Sequence, residues 1–293
     1  MTTVQKSDHS RPLVAVTGAT GVVGGGVARR LATAGIDQRL LVRSPGRTPA
    51  LPGAQVAVAS YGDAAAARDA LTGVDTVFMV SGAEDPRRRA DHLTFVDAVA
   101  AAGVRRVVYT SFFGAGPDST FLLARDHWYT EQRIRDLGLH FTFLRDNLYA
   151  DQFLDFAGPE GVLRGPAGDG RVAAVARADV IDVAVEVLQA AALSPASTEH
   201  DGMTYRLTGP ESLNLDEVAE IITKVTGRRI RYEPETVEQA YASRAGFGAP
   251  GWQLDAWVST YTAIATGELD GVTDDVARIT GHPPISLDQL LGG

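Results

Sequence analysis

Leu13-Val14-Ala15-Val16-Thr17-Gly18-Ala19-Thr20-Gly21-Val22-Val23-Gly24 is the stretch that decides how this chain folds. Leu13 to Val16 is a short apolar run of the kind a buried strand needs. Glycines follow at 18, 21 and 24, spaced three and three, and Val22 to Ala34 carries a helical pattern closed by Gly35. Each glycine has its own task. Gly18 permits the tight turn, Gly21 lets the backbone approach a pyrophosphate, and Gly24 lets the helix pack closely on the strand. The helix start then faces an anion with free N–H groups and the positive end of its dipole. A glycine triplet alone is weak evidence, but between a first strand and a long helix it points to a dinucleotide-binding loop.

The next apolar run, Leu40-Leu41-Val42, ends at Arg43-Ser44. An acid usually stands at this strand end and hydrogen-bonds the adenosine ribose. No carboxylate is present here. Arg43, with Ser44 and Arg47, suits a 2′-phosphate instead, because a guanidinium matches that dianion in geometry and charge. The expected cofactor is therefore NADPH (NADP+).

Short apolar runs and helical patterns continue to alternate. Val56 to Val58, Thr76 to Val80, Arg106 to Tyr109 and Phe141 to Leu144 read as strands. Asp63 to Leu71, a helix capped by Asp85-Pro86 and running to Gly103, and Phe121 to Leu137 read as the helices between them. This alternation predicts an α/β fold: a doubly wound, parallel Rossmann sheet covered on both faces. Later, Asp179 is expected to cap a helix to Ala192, Tyr205 to Thr208 to form a strand, and Leu215 to Val225 a helix. The predicted organisation is a nucleotide-binding domain over 12–150, with returning segments near 170–209. A smaller, discontinuous α/β C-terminal substrate domain takes 151–169 and 210–293, and 1–11 is expected to be a flexible tail.

Composition narrows the function. The 293 residues carry 27 Lys plus Arg against 36 Asp plus Glu, a net charge of -9. That disfavours a nucleic-acid binder, which needs a basic face. The absence of cysteine excludes thiol catalysis, disulfides and thiolate metal sites. No apolar run has the length of a membrane span, and Met1 to Arg11 is polar, so the expected setting is cytoplasmic, as a monomer or homodimer without a metal.

Thr17-Gly18-Ala19-Thr20-Gly21-Val22-Val23-Gly24 resembles the opening of the extended and atypical short-chain dehydrogenase/reductases. Val107-Val108-Tyr109-Thr110-Ser111, His127 with Thr130-Glu131, and Phe143-Leu144-Arg145-Asp146-Asn147 are similar to the NmrA-like branch. So are Tyr205-Arg206-Leu207-Thr208-Gly209-Pro210-Glu211 and Thr280-Gly281-His282-Pro283-Pro284. That branch includes quinone oxidoreductases and triphenylmethane reductases. The resemblance implies that Gly18, Thr20, Gly21, Val22 and Val23 lie along the pyrophosphate, and that Arg43 and Ser44 meet the adenosine phosphate. It also places Asp63 near the adenine amine, Val80, Ser81 and Gly82 beneath the ribose, and Thr110 and Ser111 where substrate meets the nicotinamide. Most short-chain dehydrogenases use a Tyr with a Lys four residues later. Here those positions fall on Leu123 and His127, so the pair is absent.

Four residues are candidates to act on substrate. His127 titrates near neutral pH and shares a helix face with Glu131; acid catalysis and simple orientation of the nicotinamide ribose are both open to it. Ser111 is a candidate oxyanion donor, and Asn147 and Tyr149 are candidates to orient a carbonyl. Arg87-Arg88-Arg89 reads as a solvated helix face. Phe112, Phe113, Phe121, Trp128, Phe153 and Phe156, with Trp252, Trp257 and Tyr261 later, offer an apolar aromatic pocket. The resulting expectation is an NADPH-dependent reductase of a small apolar aromatic acceptor, a quinone favoured, since such an acceptor needs orientation more than a strong acid. The alternative is a non-catalytic NADP(H)-binding sensor.

Overall fold

The computed structural model describes residues 13–292; the expected N-terminal tail lies outside them. The chain begins with β1 (Val14–Thr17), α1 (Val22–Thr33), β2 (Gln38–Val42), β3 (Ala54–Val58), α2 (Ala64–Leu71) and β4 (Thr76–Met79). α3 (Arg88–Ala101), β5 (Arg106–Phe112), α4 (Leu122–Asp136) and β6 (His140–Asp146) follow. After a short α5 (Phe153–Phe156) come β7 (Val162–Gly165), β8 (Arg171–Val172), α6 (Arg177–Leu193) and β9 (Met203–Leu207). β10 (Leu213–Asn214), α7 (Leu215–Thr226), β11 (Arg231–Pro234), α8 (Val237–Arg244), α9 (Gly251–Ala265), α10 (Asp275–Thr280) and α11 (Leu287–Gly292) complete the chain.

Seven strands form one parallel sheet in the order β3-β2-β1-β4-β5-β6-β9. It is the doubly wound Rossmann-like sheet that the alternating runs predict. Its central strands are apolar on both faces because helices cover both. Val14, Val16, Leu40, Phe78, Val108 and Leu144 pack towards α1 and α6. Ala15, Val77, Met79, Tyr109 and Phe143 pack towards the other face with Leu71, Phe95, Val99 and Ile134. A separate apolar core joins Phe153, Leu163, Leu215, Val218, Ile222, Tyr232, Ile264 and Leu287. Two small strand pairs, β7 with β11 and β8 with β10, frame it.

α1 comes very close to β1. A Cβ on Gly24 would stand 2.5 Å from the carbonyl oxygens of Thr17 and Gly18. One on Gly26 would meet Ile181 Cδ1 of α6 at 2.5 Å, so the small residues of α1 set both packing distances.

Two helix starts differ from the sequence reading. Asp85 does not cap α3. Its carboxylate accepts from Arg87 N and its carbonyl from Arg88 N, forming a separate turn, and the helix begins at Arg88. α6 begins at Arg177, so Asp179 lies inside its first turn and is fully buried. The Asp179 carboxylate accepts from Ile285 N at 2.8 Å, tying the C-terminal segment to the helix. Gly24→Ala is expected to cost about 1–3 kcal/mol, the scale of overpacking, because backbone must move. Urea denaturation checks this; an unchanged midpoint would contradict it.

Candidate active site

The strand order reverses between β1 and β4, and the C-terminal strand ends at such a switch point border the crevice in which open α/β sheets bind their ligands. α1 points its N-terminus into it. Gly21 is the N-cap; no side chain caps the helix and no acid stands in its first turn. Thr20, Gly21 and Val22 are exposed, while the Val23 side chain is buried in the core. Gly18 adopts φ +65°, and a Cβ there would also stand 3.1 Å from Val80 Cβ. A Cβ on Gly21 would have Gly18 O, at 3.4 Å, as its near neighbour, so the space beyond Gly21 is open. This uncapped terminus with open space before it fits a pyrophosphate.

At the end of β2, Arg43, Ser44 and Arg47 are all exposed. Ser44 precedes the turn Pro45–Arg47 without capping it, which leaves its hydroxyl available. Asp63 caps α2, its carboxylate accepting from Ala66 N at 3.0 Å, so one carboxylate oxygen is committed to the helix.

The loop after β4 is pinned on every side. Val80 N donates to Thr17 Oγ1, and Val80 O accepts from the Tyr61 hydroxyl. Ser81 N donates to Thr110 Oγ1 at 2.8 Å. Gly82 N donates to His92 Nε2 at 2.9 Å, and Gly82 O accepts from Arg88 Nε at 2.9 Å. Val80, Ser81, Gly82 and Thr110 therefore form a fixed floor.

Arg88 corrects the sequence reading. Arg87 and Arg89 are exposed, but Arg88 is 5% exposed and not part of a solvated face. The spacing Arg88, His92, Phe95, Val99 carried the signal: it is the buried stripe of α3. Arg88 Nη2 lies 2.8 Å from His127 Nε2, and Nη1 reaches Leu123 O at 3.4 Å and Asp126 Oδ2 at 3.3 Å.

A guanidinium only donates, which fixes the protons behind it. His127 Nε2 must accept, so Nδ1 carries the hydrogen and donates to the Tyr109 hydroxyl 3.0 Å away. His92 Nε2 accepts from Gly82 N, so its Nδ1 donates to Thr130 Oγ1 at 3.1 Å. Thr130 in turn donates to Asp126 O. Burial, with the Arg88 charge next in weight, holds both histidines well below their usual range. His127 is thus a neutral acceptor from Arg88, and it makes no bond to Glu131.

Glu131 is fully buried against other partners. It takes Arg145 Nε at 2.8 Å and Nη2 at 2.6 Å, and Ser111 Oγ donates to it at 2.6 Å. Ser111, expected as an oxyanion donor, is fully buried with its hydroxyl committed to Glu131. Asn147, expected to orient a carbonyl, is also committed: Nδ2 donates to Leu269 O and Oδ1 accepts from Leu148 N, which fastens the later segment to β6. Tyr149 is half-buried, and its hydroxyl lies 2.6 Å from Asp146 Oδ2, the two oxygens sharing one hydrogen bond. Burial pushes the Asp146 carboxyl up to about 8.

Several expected pocket aromatics belong to the core. Phe112, Phe121 and Phe153 are buried in the second apolar cluster, and Tyr261 packs on Gly165 beneath Arg244. Trp257 faces the crevice side: its Nε1 and Gln253 Nε2 both donate to Glu84 in the loop after β4. Phe247 stands edge-on to Trp257 and is 74% exposed.

Ring-nitrogen spectra of ¹⁵N-histidine protein are expected to show His92 and His127 still neutral, protonated on Nδ1, at pH values where an ordinary histidine is already charged. Stability should accordingly fall as the pH drops below the ordinary histidine range, because the unfolded chain takes up protons that the folded one refuses. A His127 that charges near pH 6.5 would contradict the assignment.

The NmrA-like family model matches residues 10–248. Quinone oxidoreductase 2 of Escherichia coli is 32% identical over 284 residues, covering 94% of this chain and 96% of that one. The solved structure of NADPH-dependent quinone oxidoreductase from Escherichia coli with NADPH superposes with a TM-score of 0.84 over 95% of this chain and 98% of that one, at 31% identity. The (4-alkanoyl-5-oxo-2,5-dihydrofuran-3-yl)methyl phosphate reductase of Streptomyces griseus is 36% identical over 277 residues, 92% of this chain and 94% of that one. The Citrobacter triphenylmethane reductase complexed with NADP(H) has a TM-score of 0.81 at 28% identity, covering 95% and 98%. With the family model and full-length relatives in agreement with the crevice geometry, the chain belongs to the NmrA-like family.

Proposed function

We propose that this protein is an NADPH-dependent reductase that acts on a small, electron-poor aromatic or conjugated acceptor, a quinone first among them. The class, an NAD(P)H-dependent oxidoreductase, follows from relatives that align with nearly the whole chain. The observation that carries the cofactor reading is the uncapped N-terminus of α1, with open space before Gly21 and no acid in its first turn. Arg43 and Ser44, with Arg47 beside them, supply a 2′-phosphate site where an acid would exclude one.

When bound, the cofactor is a hydride donor. The protein's task is to place and dry the reaction. The backbone of Gly18 to Val23 holds the pyrophosphate, and the pinned Val80–Gly82 loop supports the ribose. Arg88 brings a buried positive charge to the crevice, where it offsets negative charge gained by the acceptor. Burial raises Tyr61, Tyr109 and Asp146 above their usual ranges, and the Arg88 charge works against that burial at each. Trp257 and Phe247 offer apolar surface to a flat acceptor. His127 orients rather than protonates, since its Nε2 is occupied by Arg88.

The direct experiment is loss of NADPH absorbance against a panel of quinones. Turnover supports the reading; tight NADPH binding with no oxidation by any of them would replace it with that of a sensor. Gly21→Val is expected to fold normally and abolish NADPH binding by calorimetry; unchanged affinity would remove the glycine loop from the site. Arg43→Ala is expected to weaken NADPH by about 1.5–3 kcal/mol, the scale of a charged hydrogen bond, and to spare NADH. Wild-type protein that binds both cofactors equally would refute the phosphate site.

A further inference from the structure

A quinone that receives a hydride still needs a proton, and the histidine in the crevice is in no state to give one. We infer that Tyr149 delivers that proton and that Asp146, behind it, restores it. The inference rests on the reductase reading above.

Asp146 ends β6 at the crevice and is 5% exposed; Tyr149 stands three residues later, half-buried, with its hydroxyl 2.6 Å from Asp146 Oδ2. The pair is enclosed by charges of mixed sign. The Arg88 charge from α3 favours an ionised Asp146. Burial, with Asp146 next in weight, pushes the Tyr149 phenol well above its usual range; Arg177 of α6, 4.9 Å from the Tyr149 ring centroid, works against this, and Asp151 adds to it. The neighbouring Arg145 is turned to Glu131 on α4. Burial outweighs these and keeps the Asp146 carboxyl protonated below about pH 8.

A neutral carboxyl changes the direction of the hydrogen bond. Asp146 then donates to the Tyr149 oxygen, which leaves the Tyr149 O–H free to point elsewhere. The step balances as follows. The quinone gains a hydride, with its electron pair, from the reduced nicotinamide and becomes the hydroquinone monoanion; its anionic oxygen takes the Tyr149 proton, and a hydroquinone results. The Asp146 proton moves to the phenolate, and Asp146 is reloaded from water. Tyr149 is thus a catalytic residue, while Asp146 is a positioning residue that acts through it. The pair does for this chain what the absent Tyr/Lys pair does elsewhere, without Leu123 or His127.

Acceptor chemistry provides the test. A cationic triarylmethane dye is neutralised by hydride alone, whereas a quinone needs hydride and proton. Single-turnover hydride transfer is measured for wild type, Tyr149→Phe and Asp146→Asn with a benzoquinone and with such a dye. Both variants are expected to lose about 10²–10⁴-fold on the quinone and at least roughly tenfold less on the dye. The wild-type quinone rate should fall as pH rises through about 8, and Asp146→Asn should show no such fall. Independently of turnover, the infrared carbonyl band of a protonated carboxyl should vanish over the same pH span in the cofactor-free protein and be missing from Asp146→Asn. Equal losses on both acceptors, or an Asp146 already ionised at pH 6, would overturn the relay and leave the reductase reading standing. Wild-type protein that oxidises NADPH with neither acceptor would overturn the reductase reading and the relay with it.

Discussion

One buried guanidinium fastens the walls of the crevice together. Arg88 projects from α3, donates to the loop after β4 at Gly82 O, and donates to α4 at His127 Nε2. A cation this buried is tolerable only when its donors are used, and Arg88 also reaches Leu123 O and Asp126. Its fixed donor character then sets the tautomer of His127, and through Tyr109 and His92 the network reaches Thr130 and the β4 loop. The floor on which a nicotinamide would rest is therefore rigid before any ligand arrives. Preorganisation of that kind spares the reorganisation that a looser site would undergo at the moment of reaction.

The site divides between two ways of using polar groups. On the α4 face, Ser111, Glu131 and Arg145 satisfy one another and are sealed from the crevice. On the α1 and α6 side, Asp146 and Tyr149 share a single hydrogen bond and Tyr149 retains some exposure. The first arrangement holds β5, β6 and α4 in register. The second leaves a proton with somewhere to go. That contrast separates two groups of residues that look alike in the sequence, where Ser111, His127, Asn147 and Tyr149 are equally plausible.

Local signals were enough for the sheet. The spacing of Gly18, Gly21 and Gly24, the short apolar runs and the glycines after the helices are short-range chemistry, and each maps onto an observed element. The small pairs β7–β11 and β8–β10 were less legible, because β8 and β10 are two residues each and carry no periodicity. The site was half legible. Arg43, Ser44 and the glycine loop were legible because their placement depends on their own backbone neighbourhood. Arg88 was missed because three consecutive arginines look like a solvated face, although the helical spacing to His92 and Phe95 shows which of them turns inward. The hydrogen bonds that occupy Ser111 and Asn147 were not legible because their partners, Glu131 and Leu269, are distant in the chain.

The central claim is that one crevice, opened by α1 and floored by the Arg88 network, holds the dinucleotide with its reactive ring at the ends of β4, β5 and β6. A crystal structure of the protein with NADPH tests it most directly. The account predicts the pyrophosphate on the backbone N–H groups at the start of α1 and the 2′-phosphate against Arg43. It predicts the nicotinamide between the Val80–Gly82 loop and Tyr149. A pyrophosphate away from the α1 terminus, or a nicotinamide outside that gap, would contradict it.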